Sequence, residues 1–76
     1  MKQEFVFIDT LITDLNYIEA EAMEETGKSC TAGLEGGFIK IRNTETGKLI
    51  GKAWYGDDTE PINSETDYTT LNILIY

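Results

Sequence analysis

Gly37-Phe-Ile-Lys-Ile-Arg-Asn-Thr-Glu-Thr-Gly-Lys-Leu-Ile-Gly-Lys-Ala-Trp-Tyr55 decides the fold of this chain. Two runs of alternating character, Phe38 to Arg42 and Leu49 to Tyr55, flank Asn43-Thr44-Glu45-Thr46-Gly47, and Gly47 can supply the positive φ that closes such a connection. The stretch therefore predicts a β-hairpin. Because side chains alternate along a strand, Ile39 and Ile41 on the core face send Phe38, Lys40 and Arg42 to the other face. On the second strand the same rule sets Leu49, Gly51, Ala53 and Tyr55 against Ile50, Lys52 and Trp54. Gly51 and Ala53 are small enough to let a helix approach the sheet closely, and the opposite face is aromatic and basic.

Working outward, Phe5-Val6-Phe7-Ile8 is aromatic and β-branched, and Gln3 to Ile8 reads as an interior strand. From Thr13 the period changes. Thr13 is placed to cap a helix, Asp14 sits in its first turn, and Ile12 and Tyr17 have the spacing of a hydrophobic staple. Leu15, Ile18 and Ala22 then form one stripe, with Gly27 as the natural stop. Lys28 to Gly36 reads as a loop or a short irregular strand, with Gly33, Gly36 and Gly37 as turn glycines; no phosphate loop is present, since the Lys-Ser/Thr ending is missing. Gly56 to Asp67 holds five acids, the only proline and no base, and reads as a long loop. Tyr68 to Tyr76 closes the chain as a strand whose core face is Leu71, Ile73 and Ile75.

The expectation is one α+β domain over residues 1–76, ordered β-α-β-β-β, with a helix from Asp14 to Thr26 packed on a mostly antiparallel sheet. Its core should contain Leu15, Ile18, Ala22, Ile39, Ile41, Leu49, Ala53, Leu71, Ile73 and Ile75. Seventy-six residues suffice for one shallow core and no more. No apolar run approaches the length of a membrane span, and no signal peptide or anchor is read, so a cytoplasmic protein is expected. The single cysteine, Cys30, rules out an intramolecular disulfide and is expected to be a packed or half-exposed small residue.

Histidine is absent. That removes imidazole acid-base chemistry, Ser-His and Cys-His nucleophiles, and zinc sites built on Cys and His in a monomer. What remains is a carboxylate pair or a metal held by carboxylates. The spacing of Asp57, Asp58 and Glu60 does not match a calcium loop, which needs oxygens at alternate positions and glycine at the sixth. Neither an enzyme nor a metal or cofactor is expected.

The formal net charge is −8, unevenly spread: residues 1–8 are neutral, 9–36 carry −6, 37–55 carry +3 and 56–76 carry −5. A field of this sign argues against direct binding of nucleic acid. Glu21, Glu24 and Glu25 lie toward the C-terminal end of the helix, where the macrodipole disfavours them, and Glu21 repels Glu25 at i, i+4. Asp57, Asp58 and Glu60 have no basic neighbour in sequence. Local stability explains neither group. These six acids are the candidate surface for a basic partner protein; Phe38, Lys40, Arg42, Lys52 and Trp54 on the hairpin form the alternative docking face, for a foreign partner or a homodimer.

In size, acidity and layout the chain resembles the small defence-inhibiting proteins of phages and mobile elements, anti-CRISPR proteins among them. That resemblance implies a non-enzymatic inhibitor or modulator working in a host cytoplasm, a nucleic-acid mimic covering a basic surface on a protein or nucleoprotein complex. It carries no site residue across.

Overall fold

The structure, a computed structural model, describes residues 2–57, 60–63 and 65–76, with side chains from Thr10 onward. Helix α1 (Lys2–Thr26) is followed by strands β1 (Cys30–Glu35), β2 (Phe38–Asn43), β3 (Leu49–Tyr55) and β4 (Leu71–Ile75). The strands form one antiparallel sheet in the order β1-β2-β3-β4. The α+β class and the helix-on-sheet layout are as the sequence predicts, while the element order is α-β-β-β-β.

Two segments account for that difference. Gln3 to Ile8 is helical, continuous with the rest of α1, and Thr13 lies inside the helix. No glycine or proline occurs between Lys2 and Gly27, and once a helix is nucleated each further residue adds a hydrogen bond. Breaking it at Thr13 would expose backbone N–H groups that continuation satisfies. Ile12 and Tyr17, assigned to a staple, are 51% and 54% exposed on the helix flank. The stop is where expected: Gly27 adopts φ +70° and its N–H donates to Met23 O at 2.8 Å.

The other segment is β1, a regular strand where the sequence leaves a loop or a short irregular strand open. Cys30 to Glu35 pairs along its whole length with β2, from Cys30 opposite Asn43 to Glu35 opposite Phe38, through a two-residue turn at Gly36 and Gly37. Both turn glycines have positive φ, 64° and 86°, the requirement of the tight turn that suits strand twist. Gly33, assigned to a turn, is a strand residue facing Lys40. The predicted hairpin itself closes as expected: Gly47 has φ +74°, its N–H donates to Asn43 O at 2.8 Å, and Asn43 Oδ1 accepts from the backbone of Glu45 and Thr46.

The core comprises Leu11, Ile18 and Ala22 from α1 with Cys30, Ala32, Ile39, Ile41, Ala53 and Tyr55 from the sheet, and Leu15, Ile50, Ile62, Tyr68, Leu71, Ile73 and Ile75 pack around it. Ile39 and Ile41 face inward at 1% and 0% exposure. Ile50, and not Leu49, packs against this cluster. The cause is a β-bulge: Ile41 pairs with Gly51 but Arg42 with Leu49, which leaves Ile50 as an extra residue and flips the alternation beyond it. Gly51 serves the sheet, not the helix; a Cβ there would meet Leu74 O at 2.5 Å and the side chains of Ile75 and Ile41. Cys30 is buried and free, with its Sγ against Thr26 Oγ1 and the Lys28 carbonyl.

α1 also closes one margin of the sheet. The N–H of Ala32 on the edge strand β1 donates to Glu19 Oε2 at 2.9 Å, so a carboxylate occupies a position where another strand could add. Glu19→Ala should cost about 1–2 kcal/mol, the usual penalty for removing a partner from a half-buried amide. It should also speed hydrogen exchange at the Ala32 amide selectively; unchanged exchange there would show that the carboxylate contributes nothing to the edge.

Candidate functional site

With a helix on one face only, the sheet has two unlike sides. The open face carries Gly33, Lys40, Lys52 and Leu74 in one register row, and Lys40 stands directly opposite Lys52. Each lysine lies over an aromatic ring, Lys40 Nζ 5.8 Å from the Phe38 centroid and Lys52 Nζ 5.4 Å from that of Trp54, contacts worth about 0.5–1 kcal/mol at exposed sites. Arg42 is engaged differently. It donates through Nε and Nη2 to both oxygens of Glu35 at 2.8 Å and through Nη1 to Gly47 O. The Arg42 hydrogen bonds hold the Glu35 carboxyl below its ordinary value, and Glu35 raises Arg42 in return. This is the only ion pair among the described residues.

The five hairpin residues thus fall on one face. Phe38 and Trp54 also line a small cleft with Glu60, Ile62 and Thr66 of the acidic loop. The loop is tied down at its middle: Ile62 N–H donates to Gly37 O at 2.7 Å and Pro61 packs where a side chain at Gly37 would project. Its described residues border the aromatic face without covering it, since Phe38 stays 40% exposed. Further on, Thr69 donates from both N–H and hydroxyl to Asp67 Oδ1, which lowers the Asp67 carboxyl.

The five candidate acids among the described residues are not gathered in one place. Glu21, Glu24 and Glu25 are exposed on the last turns of α1, whose final turn holds no basic residue. Glu21 and Glu25 form one wall of a cleft of about 310 Å3, and Ile73 and Ile75 of β4 line it with them. Asp57 and Glu60 are exposed at the far end of β3, and Asp58 lies outside the described residues. That end of the sheet is level with Asp14, which accepts a hydrogen bond from Tyr55; Glu21 to Glu25 sit about 10–16 Å further along the helix axis at 1.5 Å per residue.

One contact joins helix to sheet with no mark in the sequence. Tyr55, 3% exposed, donates its hydroxyl to Asp14 Oδ2 at 2.6 Å and meets the Tyr68 ring edge-on at 4.6 Å between centroids. Burial first, then the Asp14 hydrogen bond and charge, push the Tyr55 hydroxyl far above the ordinary tyrosine range; burial and the Asp14 charge also raise Tyr68. Asp14, expected only to favour a helix start, is instead the strut between helix and sheet.

Among the described residues, no group of three Cys, Asp or Glu side chains is placed to hold a metal ion, and no helix is long and apolar enough to cross a membrane. Comparison of the chain with protein-family models, curated proteins and solved structures finds no match.

Proposed function

We propose that this chain is a non-enzymatic binding protein that docks the acidic side of α1 on a basic surface of another protein. One observation carries the proposal: Glu21, Glu24 and Glu25 are exposed, cluster at the helix end where the dipole disfavours them, and make no ion pair among the described residues. A surface that stability does not ask for is available for recognition. Carboxylates arrayed in this way can take positions that a partner's Lys and Arg use for phosphates, so basic surfaces that otherwise hold nucleic acid fit best. Inhibition of such a protein or nucleoprotein complex, in the cytoplasm of a host cell, is the activity we assign on the strength of the resemblance to phage and mobile-element inhibitors.

The test is charge reversal against a partner identified by affinity capture and mass spectrometry. Glu21→Lys with Glu24→Lys should weaken binding at least tenfold and flatten its salt dependence, while circular dichroism stays unchanged. Wild-type affinity with wild-type salt dependence in that variant would reject the acidic surface. The open sheet face would then lead, on the observation that Lys40 opposes Lys52, an arrangement that costs the sheet stability and that the two rings and the charge of Glu35 beside Lys40 offset in part. Trp54→Ala in the same assay reads that face directly, and sedimentation reads whether it joins two copies.

A further inference from the structure

The two margins of the sheet are not alike. Glu19 occupies the β1 margin at Ala32, and the β4 margin has no such closure among the described residues. In an antiparallel ladder each residue points its N–H and C=O to the same side, and successive residues alternate. Tyr76 N–H donates to Ile50 O, and Thr70 O accepts from Gly56 N–H, so the even positions 70, 72, 74 and 76 are turned toward β3. Leu71, Ile73 and Ile75 consequently turn their backbone N–H and C=O groups away from the sheet, and no strand lies alongside them among the described residues. Edge strands are ordinarily blunted with charge, proline or a bulge; Leu-Asn-Ile-Leu-Ile has none of these.

We infer that the outer edge of β4 is a docking site for an extended segment of the partner, added as a fifth strand and carrying Lys or Arg at alternate positions. The inference rests on the acidic-surface function proposed above and specifies the form in which the basic groups arrive. Residues directly opposite in paired strands share a face. Those opposite Ile73 and Ile75 therefore point into the cleft that Ile73 and Ile75 line with Glu21 and Glu25. Alternate strand residues are about 6.8 Å apart, and side chains at i and i+4 on a helix are about 5–6 Å apart, so two cations on the segment meet two carboxylates on α1. The intervening residues emerge on the open face beside Leu74, which is 44% exposed, and there apolar side chains fit. A second copy of this chain fits poorly: a two-fold β4 to β4 pairing would place Glu21 and Glu25 of both chains on the same face across the seam.

Three nine-residue peptides with blocked ends test this by calorimetry and amide exchange. The first alternates lysine and valine; the second has the same composition with its lysines in one block; the third is the first with methylated backbone nitrogens on the side that would pair. The alternating peptide should bind at least tenfold more tightly than the other two. It should slow exchange of the Ile73 and Ile75 amides at least tenfold without altering Ala32, and lose at least tenfold in affinity against Glu21→Gln with Glu25→Gln. Equal binding of the blocked or methylated peptide overturns the edge and leaves the acidic surface standing as a charge site. No binding by any peptide overturns the edge as well, and the acidic surface is then judged by charge reversal against the captured partner. Ile73 and Ile75 amides already protected in a free protein of dimeric mass would assign the edge to a second copy and end the proposal.

Discussion

Gly51→Ala should lower stability by about 2–3 kcal/mol, the range for forcing atoms into a packed interior, and the melting temperature by roughly 10–20 °C for a domain this small. The new Cβ would lie 2.5 Å from Leu74 O, a backbone atom held in the β3–β4 ladder, and 3.2–3.3 Å from the Cδ1 atoms of Ile75 and Ile41. A side chain could rotate aside, but the carbonyl cannot move without opening the ladder. Gly33→Ala is the control. Gly33 has no positive φ and nothing within 4 Å of its added Cβ, so the reduced freedom of the unfolded chain should make it neutral or stabilising by about 0.5 kcal/mol. Equal thermal denaturation of the two variants would mean that β4 does not pack on β3 as described.

Tyr55→Phe should cost about 2 kcal/mol, since a hydrogen bond to a charged group is lost while the ring remains. Its pH signature is more diagnostic than its size. The Tyr55 hydroxyl is raised in the folded protein, so it stays protonated when the unfolded chain begins to ionise near the ordinary tyrosine value of about 10. The folded state then binds the extra proton. Stability is fully present below about pH 10 and falls as pH rises beyond it, at about 1.4 kcal/mol per pH unit for one such group. Tyr68 is raised as well, so two groups share the wild-type decline and the Phe variant should keep one. Denaturant titrations from pH 7 to alkaline pH would read the difference; parallel curves for both proteins would remove Tyr55 from the account.

The hairpin from Phe38 to Tyr55 is legible in the sequence because strand alternation and Gly47 agree, and the helix stop is legible because Gly27 has one reading. Residues 3–8 mislead, since four consecutive apolar residues suit a strand as well as a buried helix segment, and only their continuity with the helical residues 9–26 decides between the two. The signal for β1 is present in Gly36-Gly37, a two-residue turn placed between Leu34-Glu35 and Phe38-Ile39, but Cys30 to Glu35 lacks the β-branched density that would make it read as a full strand. The bulge that exchanges Leu49 for Ile50 leaves no mark in sequence. Nor does the bond from Tyr55 to Asp14, which joins residues 41 positions apart. Among the candidate site residues, sequence identifies the exposed helix acids and the basic-aromatic face. It cannot show that Asp57 and Glu60 lie at the other end, or that Glu21 and Glu25 overlook an open strand edge, because both depend on how distant elements pack.

Every strand in the sheet pairs with its neighbour in the chain, which bears on the order of folding. The connections grow along the sequence, from two residues at 36–37 to five at 44–48 and fifteen at 56–70. Closing the last costs roughly 1.5–2 kcal/mol more than closing the first, by the logarithmic growth of loop entropy. The first three strands can therefore zip from local contacts, and β4 joins a meander that already exists. Its attachment is eased by Ile62 on Gly37, which divides the long connection into two shorter ones. The same asymmetry runs in reverse during unfolding: β4 is the strand whose release disturbs least, and its detachment should be the lowest-energy opening of the sheet.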